Sequence, residues 1–177
     1  MICLPQDCAC APQDSAAFAV GLITGRVLAC RTQESLSSLP QLSFSLKAHQ
    51  DSCRSVSFTA DGRLLLTASA DKSVLVVDFA SGKPVARLRE AHDAALSRVT
   101  GLSPWTFCSA ADSGQIRLWD ARQQAAVCTE QAHTDFVTDM SFEGRRQCLL
   151  SVSGDGTLCV YDLRANKVRQ REQLVEL

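Results

Sequence analysis

The stretch QAHTDFVTDMSFEGRRQCLLSVSGDGTLCVYDLR, residues 131–164, decides the fold because its outline occurs three times in the chain. In each copy a histidine is followed 27 or 28 residues later by a hydrophobic residue and an aspartate. The copies begin at His49, His92 and His133 and end at Val77-Asp78, Trp119-Asp120 and Tyr161-Asp162. The three aspartates stand 42 residues apart. Such a fixed period indicates a structural repeat.

The copies also agree between their end markers. Hydrophobic residues stand four and seven positions after each histidine, namely Cys53 and Val56, Leu96 and Val99, Val137 and Met140. Short runs rich in β-branched residues follow between turns of Gly, Asp and Ser, and such runs are typical of antiparallel strands. Weaker fourth strands are predicted near Pro84–Leu88, Ala126–Thr129 and Lys167–Gln170. We therefore predict an all-β fold with four strands in each repeat.

A period of this length, with His early and Trp-Asp late, resembles the WD-repeat β-propeller family. The resemblance implies blades at residues 47–89, 90–131 and 132–173. Residues 16–46 are predicted to form a degenerate partial blade, because Thr24-Gly25 aligns with Asp155-Gly156 and Cys30 aligns with Trp119. Residues 1–15 are predicted to be an irregular N-terminal segment and residues 174–177 a tail of the same propeller-type domain.

The predicted blade count leaves the propeller incomplete. About three and a half four-stranded antiparallel blades are visible, whereas closed propellers have four to eight. The expected shape is an open arc whose terminal blades each expose one face. Because uncovered strand faces favour association, self-association through the open blade faces is a predicted consequence.

Polar residues recur at matching places and indicate a structural blade network. Copy one holds His49, Ser69 and Asp71, and copy three holds His133, Ser153, Asp155 and Tyr161. A nucleophilic triad is needed once, whereas this set recurs at the same spacing, so no catalytic residue is predicted. The set resembles the Asp-His-Ser-Trp network of WD-repeat blades, which ties the loop that carries His to the turn that carries Asp.

Copy two departs from this pattern. Ala111 replaces the serine and Ser113 the aspartate, while His92 and Trp119 are kept. Asp112, one residue earlier, is a candidate partial substitute. We expect the hydrogen-bond networks of copies one and two to be less complete than that of copy three, where Tyr161 has a hydroxyl to donate.

A second motif concerns partner binding. Trp119, Asp120 and Arg122 form a Trp-Asp-x-Arg box, which Tyr161, Asp162 and Arg164 echo. Proteins with this box are similar to substrate receptors that dock on the damaged-DNA-binding adaptor of cullin-RING ubiquitin ligases. An arginine at the end of the third strand reaches the propeller face, where its planar fork pairs with carboxylates or carbonyls of a partner. The alternative interpretation is that each arginine pairs with the aspartate of its own blade.

Loop residues beside the histidines are further candidates for contact with a protein partner. Propeller rims bind peptides or other domains through such loops. The candidates are Asp51, Arg54, Asp93, Asp135 and Phe136.

Composition restricts the classes of function. The 18 basic and 19 acidic residues give a net charge of −1, which offers no electrostatic argument for direct nucleic-acid binding. The start MICLPQDCAC lacks the basic region and apolar stretch of a signal peptide, and the longest apolar run, residues 16–23, is too short to span a bilayer. An intracellular protein without a membrane partner is therefore expected.

Cysteines and short motifs give no sign of a cofactor. Nine cysteines are spread along the chain, as in a reduced compartment. Cys3, Cys8 and Cys10 lack a fourth ligand nearby for structural zinc. Because the chain also lacks a Gly-rich phosphate loop and an HExxH-like motif, we predict no metal, no cofactor and no enzymatic activity.

Within the WD-repeat family, residues 46–171 resemble one branch in particular. The likeness rests on LKAHQDSCRSVSFTADGRLLLTASADKSVLVVD, on ADSGQIRLWDAR with its missing turn aspartate, and on LLSVSGDGTLCVYDLR. It implies a nuclear and nucleolar scaffold needed for ribosomal RNA maturation and large-subunit production, with pre-ribosomal assembly factors as partners. Three hypotheses follow: this scaffold, a ubiquitin-ligase substrate receptor, and a truncated, inactive half propeller.

Overall fold

The computed structural model describes residues 4–32, 39–165 and 167–173, with the side chains of 167–169 left aside. These ranges contain sixteen β-strands and no helix. The strands form four sheets of four consecutive antiparallel strands each. The predicted all-β class is therefore confirmed, and the four sheets follow one another like the blades of an open β-propeller arc.

The sheets follow one another along the chain. The first is formed by β1 (Pro5–Ala11), β2 (Asp14–Leu22), β3 (Arg26–Arg31) and β4 (Gln41–Lys47). The second is formed by β5 (Cys53–Phe58), β6 (Leu64–Ser69), β7 (Val74–Asp78) and β8 (Lys83–Leu88). The third is formed by β9 (Leu96–Gly101), β10 (Thr106–Ala111), β11 (Gln115–Asp120) and β12 (Ala125–Gln131). The fourth is formed by β13 (Val137–Glu143), β14 (Cys148–Ser153), β15 (Thr157–Asp162) and β16 (Lys167–Gln173).

The N-terminal region differs from the sequence prediction. Residues 5–11, predicted to be irregular, form β1, which pairs with β2 at Cys8↔Val20 and Cys10↔Phe18. With β4 on the other side, the predicted partial blade is a complete sheet, so the arc has four sheets rather than three and a half. The strand was missed because β1 is mostly exposed and is held by backbone pairing, which needs no hydrophobic pattern.

The first strands of neighbouring sheets contact one another and so form the inner edge of the arc. One end of the sheets carries the loops with His49, His92 and His133, and we call it the histidine rim. The opposite end carries the turns from the first to the second strand and from the third to the fourth strand of each sheet. Because Arg63, Arg122, Arg145, Arg146 and Arg164 lie in these turns, we call it the arginine rim.

The core lies between the sheets in three hydrophobic clusters, one at each joint. The hydrophobic positions four and seven after each histidine are all buried. At the second joint, Phe107 and Trp119 stack with ring centroids 6.3 Å apart. Neighbouring sheets thus supply each other with the apolar cover that an isolated sheet lacks.

The joints are also tied by backbone hydrogen bonds near the histidine rim. The N–H of His49 donates to the carbonyl of Gly25 (2.9 Å), that of Ala91 to Lys72 (2.9 Å) and that of His133 to Gly114 (3.1 Å). The acceptor residues have left-handed φ angles between 67° and 79°. A Cβ atom on Gly114 would collide with the carbonyl of His133, so the close approach of the next sheet requires glycine there.

The two terminal sheets each leave one face without a neighbouring sheet. In the second sheet Leu66 and Val76 are fully buried against the third sheet. Their equivalents in the fourth sheet, Leu150 and Val160, are only partly buried. The described strands form no closed ring, as predicted for an open arc.

Candidate functional site

The second sheet carries a polar network at the histidine rim. His49 is 2% exposed, with Nδ1 lying 2.9 Å from Ser73 Oγ and 3.3 Å from Asp71 Oδ2. Its Nε2 lies 2.8 Å from Thr67 Oγ1. Asp71 also accepts a hydrogen bond from the backbone N–H of Gln50 at 2.9 Å. The network therefore ties the histidine loop both to the turn and to the strand below it.

The fourth sheet repeats this arrangement. His133 Nδ1 lies 2.9 Å from Thr157 Oγ1 and 3.4 Å from the carboxylate of Asp155. Its Nε2 lies 2.8 Å from Ser151 Oγ. Asp155 accepts the N–H of Thr134 at 2.8 Å. Since the two networks match group for group, they support the blade rather than form a unique reactive centre.

Ser69 and Ser153, which were predicted to belong to these networks, do not contact the histidine rings. Thr67 and Ser151, two residues earlier on the same strands, hold that place. The histidine ring lies beneath the turn, so Nε2 reaches a hydroxyl about 6–7 Å further along the strand. Each predicted serine instead accepts the N–H two residues later and donates to a carbonyl of the histidine loop, at distances between 3.0 and 3.3 Å.

The third sheet keeps only half of the network. Ser109 Oγ lies 2.7 Å from His92 Nε2 and accepts the indole N–H of Trp119 at 2.8 Å. Ala111 therefore does not remove the hydroxyl that the histidine uses. The loss comes from Ser113, which stands where the second and fourth sheets have aspartate. Within the described residues, the buried Nδ1 of His92 has no hydrogen-bond partner.

Neighbouring polar residues do not replace the missing carboxylate. Asp112, predicted to substitute in part, lies 2.7 Å from the guanidinium of Arg54 on the second sheet. Gln115 stands where the other networks have a hydroxyl, but its Oε1 accepts from Arg117 Nε at 2.7 Å. The Gln115 side chain acts to raise the pKa of His92, but it does not meet the geometry of a hydrogen bond to His92 Nδ1. The substitution predicted for Asp112 is therefore wrong.

The burial of the histidines determines their charge. Desolvation lowers the pKa of His49 and of His92 to about 4, against an ordinary value of 6.5. Burial also lowers the pKa of His133. For Asp71 and Asp155 burial acts to raise the pKa, but hydrogen bonds from neighbouring hydroxyl and N–H groups lower it overall. At neutral pH each aspartate is thus a carboxylate and each histidine a neutral ring.

Tyr161 faces the neighbouring sheet. Its hydroxyl lies 3.3 Å from Cys128 Sγ on β12, and its ring belongs to the cluster between the third and fourth sheets. Burial and Cys128 raise the pKa of Tyr161 above its ordinary value. The residue that replaces tryptophan in the third copy therefore packs at a sheet joint.

The Trp-Asp-x-Arg box presents one of its three named side chains to solvent. Trp119 and Asp120 are 5% and 6% exposed, whereas the Arg122 side chain is 60% exposed. Arg122 donates to both carboxylate oxygens of Asp120, from Nε at 3.1 Å and from Nη2 at 2.7 Å. These contacts lower the pKa of Asp120 to about 2. The guanidinium also lies 6.0 Å from the ring centroid of Trp105.

The echo of the box in the fourth sheet has a different geometry. Asp162 is 1% exposed and accepts the backbone N–H of Arg164 at 2.8 Å. The Arg164 guanidinium donates to the carbonyl of Arg145 at 3.3 Å. Both boxes thus place an arginine at the arginine rim, with the aspartate below it.

The predicted loop candidates lie at the histidine rim. Asp51, Asp93 and Asp135 are exposed there, and Phe136 is 44% exposed. Arg54 is part-buried in its pair with Asp112. This rim therefore offers carboxylates, cationic side chains such as Lys47 and Lys72, and one aromatic ring to a partner.

Sequence reasoning missed a contact across the joint of the second and third sheets. Arg63 lies 5.5 Å from the ring centroid of Trp105, and its side chain is 62% exposed. The signal that could have revealed this contact is the period itself, because residues 63 and 105 stand 42 apart. Equivalent positions of adjacent blades lie at the same height.

The described part of the chain contains no group of three or more His, Cys, Asp or Glu residues arranged to hold a metal ion. Cys8 and Cys10 are exposed on β1, and Cys3 lies outside the described residues. The same part of the chain has no helix, and therefore none that could cross a membrane.

Comparison with known proteins supports this description of the fold. The family profile described as "WD domain, G-beta repeat" matches residues 40–78 and 125–162. WD repeat-containing protein 55 of Arabidopsis thaliana is 38% identical over 158 residues, covering 89% of this chain and 44% of that protein. WD repeat-containing protein JIP5 of Coprinopsis cinerea is 37% identical over 124 residues, covering 70% of this chain and 30% of that protein.

A mammalian relative gives the same result. WD repeat-containing protein 55 of Mus musculus is 33% identical over 119 residues, covering 67% of this chain and 31% of that protein. The chain therefore spans less than half the length of each of these relatives. The matched repeats, the likeness to these relatives and the four consecutive blade-like sheets together show that the chain belongs to the WD-repeat family.

Proposed function

We propose that the chain is a non-enzymatic protein-interaction scaffold that acts in ribosomal RNA processing and large ribosomal subunit biogenesis, in the nucleus and nucleolus. The observation that carries the proposal is the likeness to WD repeat-containing protein 55 over 89% of the chain. The sequence features behind it include the missing turn aspartate at Ser113, a departure from the repeat pattern. Its partners would be pre-ribosomal assembly factors.

The geometry of the polar groups supports a binding role rather than catalysis. The histidine network is complete in the second and fourth sheets and half kept in the third, and its histidines are buried and neutral. A general base must reach a substrate proton, whereas these ring nitrogens face hydroxyls and carboxylates of their own sheets. What the molecule offers to a partner are the turns and loops of its two rims.

The proposal is tested by affinity purification of the tagged chain from nuclear extract, with partners identified by mass spectrometry. Recovery of large-subunit assembly factors supports the scaffold function. Recovery of chaperones alone would instead support the inactive half propeller. An Arg89→Ala variant serves as a control for general loss of surface charge, because Arg89 is exposed and lies outside both boxes.

A second candidate function is that of a substrate receptor of a cullin-RING ubiquitin ligase. The observation that favours it is the exposed guanidinium of Arg122, which is held in place by Asp120 and keeps N–H donors for a partner. In the same experiment, adaptor recovered with wild type but not with Arg122→Ala supports this function. Assembly factors recovered equally with both proteins support the scaffold instead.

A further inference from the structure

The arginine rim combines exposed guanidinium groups from three successive sheets. Arg63 comes from the second sheet, Arg122 from the third, and Arg145, Arg146 and Arg164 from the fourth. All five side chains are exposed. Their spread along the rim, rather than within one turn, gives an extended surface.

The carboxylates of this rim are largely occupied below the arginines. Glu143 accepts the backbone N–H groups of Arg145 and Arg146, at 3.0 and 2.6 Å. Asp120 is held by Arg122, and Asp162 is 1% exposed. Each carboxylate thus serves the local backbone or a neighbouring side chain, while the guanidinium groups point outward. Asp61 and Asp78 of the same rim are engaged in the same way, by the N–H groups of Arg63 and Ser81, so the charged groups left for a partner are the guanidinium groups.

Two of the arginines are available for a partner. Within the described residues, the guanidinium groups of Arg145 and Arg146 make no hydrogen bond or ion pair. They line an open cavity of about 420 Å³ together with Arg164, Val160 and Asp162, which is 1% exposed. The corresponding positions of the second sheet are Asp61 and Gly62. A feature present in one blade alone is not required to build a blade.

Trp105 adds an aromatic surface between Arg63 and Arg122, at 5.5 and 6.0 Å from their guanidinium carbons. Arginine and tryptophan are enriched where binding energy is concentrated at protein interfaces. A planar guanidinium group can donate two parallel hydrogen bonds to one carboxylate. The histidine rim is mixed in charge, since its exposed loops carry Asp51, Asp93 and Asp135 together with Lys47, Lys72 and Arg89.

We propose that the arginine rim, formed by Arg63, Trp105, Arg122, Arg145, Arg146 and Arg164, is a docking surface for an acidic peptide segment of a protein partner. This inference rests on the proposed scaffold function and names the chemistry of one partner. Glutamate or aspartate side chains of the segment pair with the guanidinium groups of the fourth sheet, and its neighbouring apolar groups lie against Trp105.

The test is a fluorescence-anisotropy titration of the full chain with a fluorescein-labelled decapeptide of alternating Glu and Val, which supplies both carboxylates and apolar side chains. The key variant is Arg145→Gln with Arg146→Gln, because neither guanidinium has a partner among the described residues whose loss would disturb the fold. The matched control is Arg26→Gln with Arg89→Gln, which removes the same charge from exposed residues near the histidine rim. Thermal denaturation verifies that both variants are folded.

We expect the Arg145/Arg146 variant to bind the peptide at least about tenfold more weakly, which corresponds to about 1.4 kcal/mol, and the control variant to change the Kd less than about threefold. Quenching of Trp105 fluorescence in wild type, absent in a Trp105→Phe variant, would support contact at the aromatic surface. If both double variants bound the peptide equally weakly, the loss would follow from net charge alone, and the proposal would be overturned.

Two further outcomes would also overturn it. One is no binding of the glutamate peptide up to millimolar concentration. The other is tighter binding of a ten-nucleotide single-stranded RNA with the same dependence on Arg145 and Arg146, which would make the rim a nucleic-acid surface. Neither outcome affects the recovery of assembly factors from extract. The scaffold function is therefore tested independently by the affinity purification.

Discussion

Single residues decide how well each blade is tied together. The second and fourth sheets place a carboxylate beneath the histidine loop, at Asp71 and Asp155, and the third sheet places Ser113 there. The buried Nδ1 of His92 consequently has no hydrogen-bond partner among the described residues. A buried polar atom left unpaired costs about 1–3 kcal/mol. The third sheet therefore carries a defect that one substitution can repair.

Ser113→Asp is expected to stabilise the protein. The new carboxylate would accept from His92 Nδ1 and from the N–H of Asp93, as Asp155 accepts from His133 and Thr134. We expect a gain of about 1–2 kcal/mol in the free energy of unfolding, measured with urea at pH 7. Ser113→Ala supplies no acceptor and should show no gain. A variant no more stable than wild type would mean that the loop does not accommodate the carboxylate.

The buried histidines predict how stability depends on pH. The unfolded chain binds protons near pH 6.5, whereas His49 and His92 bind them only near pH 4 when folded. Between these values the unfolded state holds more protons, so their contribution is present above pH 6.5 and is lost as pH falls towards 4. The loss is on the order of 3 kcal/mol for each histidine.

Urea unfolding at a series of pH values between 7 and 4 measures this dependence. The slope at pH 5 should fall by about one proton in His49→Gln, whatever the absolute stability of the variant. Asp71 has a lowered pKa, so its contribution is lost only below its ordinary value of 3.8 and stays outside the window. A stability that is flat from pH 7 to 4 would contradict neutral, buried histidines.

The sequence predicted the repeated residues of each blade but not all of their hydrogen-bond partners. The histidines, Trp119 and the turn aspartates were identified because they recur at fixed spacing. Thr67 and Ser151 were missed because Ser69 and Ser153, two positions later, point to the same side of the strand. Which hydroxyl meets the ring depends on how deep the ring lies, and a one-dimensional pattern does not encode that depth.

At the scale of elements, the turn between the second and third strands sets the joint with the next sheet. Gly114 and Gly156 occupy the same position, with φ of 79° and 74°. A Cβ on Gly114 would meet the carbonyls of His133 and Asp135, whereas a Cβ on Gly156 would meet nothing within 4 Å. The two glycines thus share a backbone conformation and differ in whether another sheet covers them.

Alanine at each position separates these two effects. Gly156→Ala should cost about 1–2 kcal/mol of stability, the penalty of left-handed backbone for a residue with Cβ. Gly114→Ala should cost about 1–3 kcal/mol more, because the next sheet must shift. Thermal and urea unfolding of both variants measure the difference. Equal costs would mean that the joint between the third and fourth sheets is loose.

Element prediction succeeded where side chains alternate and failed where they do not. The fourth strands at Lys83–Leu88 and Ala125–Gln131 were found from turns and spacing, although their outward positions are exposed. β1 was not found, because PQDCACA has polar and small residues on both sides. Its position follows from pairing with β2, a long-range requirement of the sheet rather than a property of the segment.

At the scale of the whole molecule, the arc ends in two uncovered sheet faces. Leu150, Val152, Leu158 and Val160 share the open face of the fourth sheet and are partly exposed. Equivalent residues of the second sheet are fully buried by the third. Contiguous apolar surface of this kind favours association. The purified chain should therefore self-associate at micromolar concentration.

Multi-angle light scattering after size-exclusion chromatography measures this association. Val152→Lys with Leu158→Glu places opposite charges on a cross-strand pair and should shift the chain towards monomer. Val85→Lys with Val127→Glu changes two exposed hydrophobic residues on outer strands and should leave the association unchanged. Wild type that remains monomeric at high concentration would contradict the expected role of the open face.

The amide-to-carbonyl bonds that join Gly25 to His49, Lys72 to Ala91 and Gly114 to His133 make the protein a linear chain of nearest-neighbour couplings. In such a chain an interior unit has two couplings and a terminal unit one. Loss of structure should therefore start at the ends and move inward. Hydrogen exchange would show it as earlier deuteration of the first and fourth sheets than of the second and third, so that the order of opening records the order of the repeats.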